Sequence, residues 1–132
     1  MIIHQDIGIE QLQIAIFEAL STTGFEVYQY VPKDAPYPFI HMGEEYISPN
    51  HTKTKAHFEV FHVIHAFSKS TNKREINRMN RAIVLALSTR LELAEGFYIS
   101  DFRLDNGITV LDPEEQGLFH STYRFYYRIS KE

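Results

Sequence analysis

The chain has 132 residues, 44% hydrophobic and 23% charged, enough for one folded domain that buries about two-thirds of its unfolded surface. The absence of cysteine excludes disulfide staples and thiolate-bound zinc, and the longest apolar run, residues 82–87, falls far short of the ~20 residues that cross a bilayer. A formal net charge of -4 argues against sequence-independent binding of nucleic-acid phosphates, and residues 1–4 show no sign of a signal peptide.

The first expected element is a helix over residues 9–22. Ile9, Leu12, Ile16, Ala19 and Leu20 recur at helical spacing, and Gly24 stands just past the end. Ile14 and Phe17 widen the apolar stripe, so this helix is expected to contact more than one surface. Residues 25–30 read as a short strand that Pro32 ends. Pro32, Pro36 and Pro38 then rule out helix, because they lack the backbone donor and bias their predecessors towards extended conformations. Residues 39–47 read as a strand, and residues 48–56, with Pro49 and Asn50, as the loop at the tip of a long hairpin. Residues 57–67 are rich in Phe and Val on both faces, which predicts a central strand.

A second helix is signalled by Asn72 as N-cap with Glu75 completing a capping box. Ile76, Met79, Ile83, Leu87 and Leu91 hold one face of it, and Gly96 ends the segment. Residues 97–104 and 107–111 read as two short strands around the turn Asp105-Asn106-Gly107, followed by an acidic loop at 112–116. The last strand, residues 118–129, alternates. Phe119, Tyr123, Phe125, Tyr127 and Ile129 face one way, and His120, Thr122, Arg124 and Arg128 the other. The order helix, strands, helix, strands predicts an α+β domain spanning residues 1–132, a mostly antiparallel sheet with two helices packed on it. Ten Phe and eight Tyr suit such a β-containing core.

Seven histidines invite a search for catalysis. Alternation puts His57, Glu59 and His65 on one strand face and His62 on the other. His57 and His65 stand roughly 26 Å apart along an extended strand, too far to share a metal. A small metal- or His-dependent enzyme would instead centre on His41, Glu59 and His62. Against it, the glycines are isolated, and neither His-Glu-x-x-His, Glu-x-Lys nor Gly-x-Ser-x-Gly occurs. No catalytic residue, metal ligand or cofactor is assigned. Lys53 and Lys55 lie in the expected hairpin loop, and Lys69, Lys73, Arg74 and Arg78 surround the start of the second helix. Arg124, Tyr126 and Arg128 share a strand face. That pattern suits a protein interface, a stacking surface for nucleic acid, or an ordinary solvated face.

Several segments form an ordered set. They are Val31-Pro32-Lys33-Asp34-Ala35-Pro36-Tyr37-Pro38-Phe39-Ile40 with Gly43-Glu44-Glu45, then His62-Val63-Ile64-His65-Ala66-Phe67-Ser68 and the helix at 73–87. Phe102-Arg103-Leu104, Asp112-Pro113 and the final strand at 117–129 complete it. From about residue 9 to 130 this set resembles the tail-completion family of long-tailed double-stranded DNA bacteriophages, also called tail terminators or tail-to-head joining proteins. The resemblance implies a structural virion protein, made in the host cytoplasm, with no catalytic motif. Such proteins cap the finished tail tube as a hexameric ring, dock on the connector or stopper proteins of the head, and let DNA pass through. Another small neck component of similar build fits the same residues. A ring requires head-to-tail contacts whose rotation closes. Contacts with neighbouring proteins are therefore expected from Pro49, Asn50, His51, Lys53 and Lys55 in the first loop. Asp112, Glu114 and Glu115 in the second loop, and the Arg124, Tyr126 and Arg128 face, are the other candidates. Deleting residues 49–55 is expected to spare the fold and abolish virion assembly.

Overall fold

A computed structural model describes residues 8–51 and 56–132, with the backbone alone at 49–51 and 56. Among these residues the chain forms α1 (Ile9–Ser21), β1 (Glu26–Tyr28), β2 (Phe39–His51), β3 (Ala56–Lys69), α2 (Arg74–Leu87), β4 (Phe97–Leu111) and β5 (Leu118–Lys131). The strands make one sheet in the order β1-β2-β3-β5-β4. β1 runs parallel to β2 and every other neighbouring pair is antiparallel, so the α+β class and the central place of β3 both hold.

The helices lie on one face of the sheet because their apolar stripes match the apolar face of its strands. Leu12, Ile16 and Leu20 of α1, with Ile76, Met79, Ile83 and Leu87 of α2, are buried against Ile40, Val60, Ile64, Ile99, Phe125, Tyr127 and Ile129. Ile14 and Phe17 are exposed on α1. The close fit of α1 on the sheet begins at Gly8, whose φ is +79°. A Cβ there would stand 2.9 Å from both Ile129 and Phe97 side chains.

Four expectations are corrected. The two short strands around Asp105-Asn106-Gly107 are a single strand, β4, paired with β5 along its whole length through two register shifts. Gly107 marks no turn there. It lies across from Tyr123, and a Cβ would fall 2.5 Å from that ring. Residues 48–51 are not loop but the end of β2, with Pro49 opposite Phe58 and Asn50 opposite His57. Pro49 is tolerated because this part of β2 is a sheet edge, where a missing donor leaves no ladder bond unmade. The capping box does not form. Asn72 Oδ1 accepts from the Arg74 amide, while Glu75 accepts a 2.6 Å bond from the Ser68 hydroxyl. Finally, α2 stops at Leu87, and Leu91 and Leu93 pack on the core from the segment that follows.

Ile83 is fully buried between α2 and the sheet. Ile83→Ala should therefore lower unfolding stability by about 2–5 kcal/mol, whereas Ile14→Ala on the exposed side of α1 should change it by less than about 0.5 kcal/mol. Denaturant unfolding of the two variants measures both.

Candidate functional site

The face of the sheet opposite the helices is, among the described residues, covered by no other element, and its side chains fall into two regions. One is a ladder of rings at the β1 side. Phe39 of β2 packs on Phe67 of β3 at 5.1 Å between centroids, and Phe67 stacks on His120 of β5 at 4.3 Å. Tyr28 and Tyr37 extend it from the side, at 5.6 and 5.5 Å from Phe39. Strand register brings the rings together. Phe39 is opposite Phe67, which is opposite His120, and His41 is opposite His65. Rings on directly opposed residues interact across the strands, which is a main source of sheet stability.

Three histidines meet in this ladder. His65 stacks on His41 at 5.7 Å, its Nδ1 lies 2.8 Å from Nε2 of His120, and its Nε2 lies 2.6 Å from the Glu44 carboxylate. All contacts are satisfied when His65 donates from Nε2 to Glu44 and His120 donates from Nε2 to His65. Burial, and next the neighbouring His65, hold both His41 and His120 below the usual histidine range. The hydrogen bond from His65 lowers the Glu44 carboxyl.

The second region is cationic and aromatic. Arg124 lies 4.2 Å over the ring of Phe61 with its Nε 3.1 Å from Asp105. Arg103 lies 4.0 Å over the ring of Tyr126. The Tyr126 hydroxyl donates a 2.6 Å bond to Glu59, and Arg128 Nε donates to Ser100 at 3.0 Å. Burial and then the bond to Glu59 raise the Tyr126 hydroxyl to about 12. Each guanidinium thus has a fixed partner, so the surface presents cations held in place rather than mobile on long stems.

The residues singled out from sequence are dispersed. Arg124, Tyr126 and Arg128 do share this face, but Tyr126 is buried between Phe61 and Arg103 and acts as a floor for the arginine. Asp112 shapes the turn between β4 and β5. It accepts from the amides of Glu114 and Glu115, and those two bonds lower its pKa. Glu115 pairs with Lys69 at 3.1 Å, while Glu114 is exposed. Pro49, Asn50 and His51 belong to β2 rather than to a loop, and Lys53 and Lys55 lie outside the described residues.

The metal or enzyme centre at His41, Glu59 and His62 is not assembled. His41 is on the ring-ladder face, Glu59 is engaged by Tyr126, and His62 is buried on the helix side beside Glu45, with Nε2 3.3 Å from its carboxylate. Among the described residues no three His, Asp or Glu side chains converge as metal ligands. The depression beside His62, lined also by Gln13, Gln29, Met42, Gly43 and Glu45, has a volume of about 170 Å³. That is below the ~300–1,000 Å³ of ordinary small-molecule sites. The ring ladder is not foreseen from the sequence. Its only signal was aromatic and His residues at alternating positions in three segments, and their meeting depends on a register that local sequence does not specify.

The family model described as "Tail completion protein gp17" matches residues 15–130. A solved chain from "Virion of native gene transfer agent (GTA) particle" is similar in fold, with a TM-score of 0.80 and 19% identity over 96% of this chain and 99% of that one. The type 4 fimbrial biogenesis protein PilO from Pseudomonas aeruginosa aligns over 98% of this chain and 73% of its own, with a TM-score of 0.43 and 11% identity, too loosely to support any argument. No curated protein matches in sequence.

Burial pushes His62 from 6.5 down to about 4, so the folded protein resists protonation that the unfolded chain accepts. Stability should be level above about pH 6.5 and fall as the pH drops towards 4, by roughly 3 kcal/mol from this group. His41 and His120 act in the same direction. A series of denaturant melts between pH 4 and 8 should show the fall, and His62→Asn should flatten most of it.

Proposed function

Because the chain belongs to the tail completion protein gp17 family, we propose that it caps a phage-type tail tube as a ring of copies, in number six, and joins the tail to the DNA-filled head. Membership makes it a structural component of a phage virion. The finer role draws its support from one observation. The helices cover a single face of the sheet, and the other carries immobilised aromatic and arginine side chains, residue types enriched at protein interfaces.

The partners are the tail tube protein on one side and the connector or stopper proteins of the head on the other. Arg124 and Arg128, the exposed Glu114 beside the β4–β5 turn, and the hairpin tip with Lys53 and Lys55 are the proposed contact points. DNA passes through the ring without sequence-specific binding. An enzymatic role has no support in the side-chain geometry, since the histidines and carboxylates pair with one another rather than around an open site.

Mixing the purified chain with its tail tube protein and viewing the product by negative-stain electron microscopy tests the role. Capped tubes of uniform length are expected; tubes that grow on unchanged and bind no chain would refute it. The Arg124→Gln, Arg128→Gln variant should still unfold cooperatively, at a somewhat lower melting temperature because the Arg124 contacts with Phe61 and Asp105 are lost, yet reduce infectious, joined particles by at least about tenfold, the loss of one hot-spot contact. A wild-type yield from that variant would remove this face from the interface.

A further inference from the structure

We propose that the outer half of β4 is a docking edge for a second copy of this chain, which presents the open stretch of its own β2. The inference rests on the ring reading and says which surfaces close it.

β4 is the last strand of the sheet, and its two halves differ. The first half is partly covered by the segment before it. Arg90 donates to the carbonyl of Ile99 and lies 5.7 Å over the Phe102 ring, and Leu91 and Leu93 pack on the core nearby. On the second half α2 reaches only the helix-side face, where Asn80 donates to Thr109, and among the described residues no strand pairs with its outer edge. Leu104, Ile108, Val110 and Leu111 are 41%, 61%, 42% and 57% exposed. After the register shift at Leu104/Asn106, residues 106–111 form a regular strand without a charge or a proline. Folded proteins blunt such edges with charges, prolines, bulges or a covering element, because a bare apolar edge pairs with any strand that meets it. Here the irregularity stops short of residues 106–111, and the six that follow are left as a template of ordinary strand length.

The same chain carries a matching edge on the far side of the sheet. β1 pairs only with Phe39, Ile40 and His41. Beyond the register shift at Met42/Glu45, β2 continues regularly to His51, and among the described residues no second strand pairs with that stretch. Tyr46 and Ile47 there are 55% and 47% exposed.

Strand sense decides between pairing modes. β2, β3, β5 and β4 are joined by three successive antiparallel pairings, so β2 runs antiparallel to β4. A neighbour in the same orientation therefore brings its β2 alongside β4 in the antiparallel sense the sheet already has. Such a contact uses a different edge on each copy and repeats head to tail, as ring closure requires. Two-fold pairing of β4 with β4 would leave the β2 edge open on both copies. Clearing β1 requires each copy to slide along the strands, and a fixed slide per copy is how a closed sheet acquires its strand tilt.

Photo-crosslinking tests this in assembled virions. The photoreactive residue p-benzoylphenylalanine replaces Ile108 in one preparation and Val110 in another, so that one misfolded variant does not decide the result. After irradiation, mass spectrometry should find the crosslinks on residues 44–48 of another copy. Crosslinks to β4 of another copy, to a different virion protein, or no intermolecular product would overturn the proposal while leaving the chain a virion component. Purified virions that lack the chain altogether would instead overturn the ring reading beneath it.

Discussion

Hairpins join β2 to β3 and β4 to β5, so the segments left to cover the sheet are α1 and α2, and both land on the same face. That one-sided cover is the constraint on which the rest of the structure depends. The covered face is an ordinary apolar core, with Ile40, Val60, Ile64, Phe125 and Tyr127 buried under the helices. The other face has to be stabilised by contacts within the sheet itself. It does so with pairs across strands: Phe39 on Phe67, Phe67 on His120, Arg124 on Phe61 and Arg103 on Tyr126. Such pairs are worth about 0.2–1 kcal/mol each, enough to order a surface and too little to replace a second helical layer.

Order on that face has a functional consequence. A long side chain immobilised on binding costs about 0.5–1.5 kcal/mol, so a surface already ordered in the free protein loses less when a partner arrives. The arginines here are held by ring faces, by Asp105 or by Ser100, and Tyr126 is held by Glu59. The histidine cluster adds a second property. Burial and the neighbouring His65 keep His41 and His120 below their usual range, which favours uncharged rings at these two positions near neutral pH. One end of the face is thus aromatic and the other cationic, and the boundary follows strand register.

Elements whose pattern is local were legible in the sequence. The apolar spacing of α1 and the alternation of β5 each specify a face without reference to the rest of the chain: Leu12, Ile16 and Leu20 are buried and β5 alternates as expected, while Ile14 and Phe17, expected to widen the α1 stripe, are exposed. What failed was decided by distant partners. Asp105-Asn106-Gly107 has the composition of a turn, yet β5 holds those residues extended, and the missing side chain of Gly107 leaves space for the Tyr123 ring. Pro49 looks like a strand breaker but sits where β2 is an edge. Glu75 has the spacing of a capping residue, yet Ser68 at the end of β3 claims its carboxylate. His41 and His62 are on neighbouring strands, but they belong to opposite faces, so proximity in the sheet order brings no common site. The ring ladder and the two open edges are properties of register and strand order, and neither is written in any one segment.

Strand order also separates the surfaces by direction. The edges of a sheet point sideways, its strand ends point along the strands, and its faces point perpendicular to both. Self-contacts made through the edges, as proposed, would leave the strand ends, among them the β4–β5 turn, free for proteins above and below a ring. In a ring closed through edges, one face of each sheet looks towards the axis and the other outward. If the chain forms the proposed ring with the ring-ladder face inside, the arginines that DNA would meet are already shared with Asp105, Ser100 and neighbouring rings. Phosphate affinity rises with the number of cations free to displace counterions, so partial neutralisation within the face favours sliding over retention. If the helical face is the inner one, the exposed Arg74, Arg78 and Arg81 of α2, which form no ion pair among the described residues, would line the passage instead, a surface that would hold DNA rather than release it. In the proposed ring, passage of DNA without retention would therefore favour the arrangement with the helices outside.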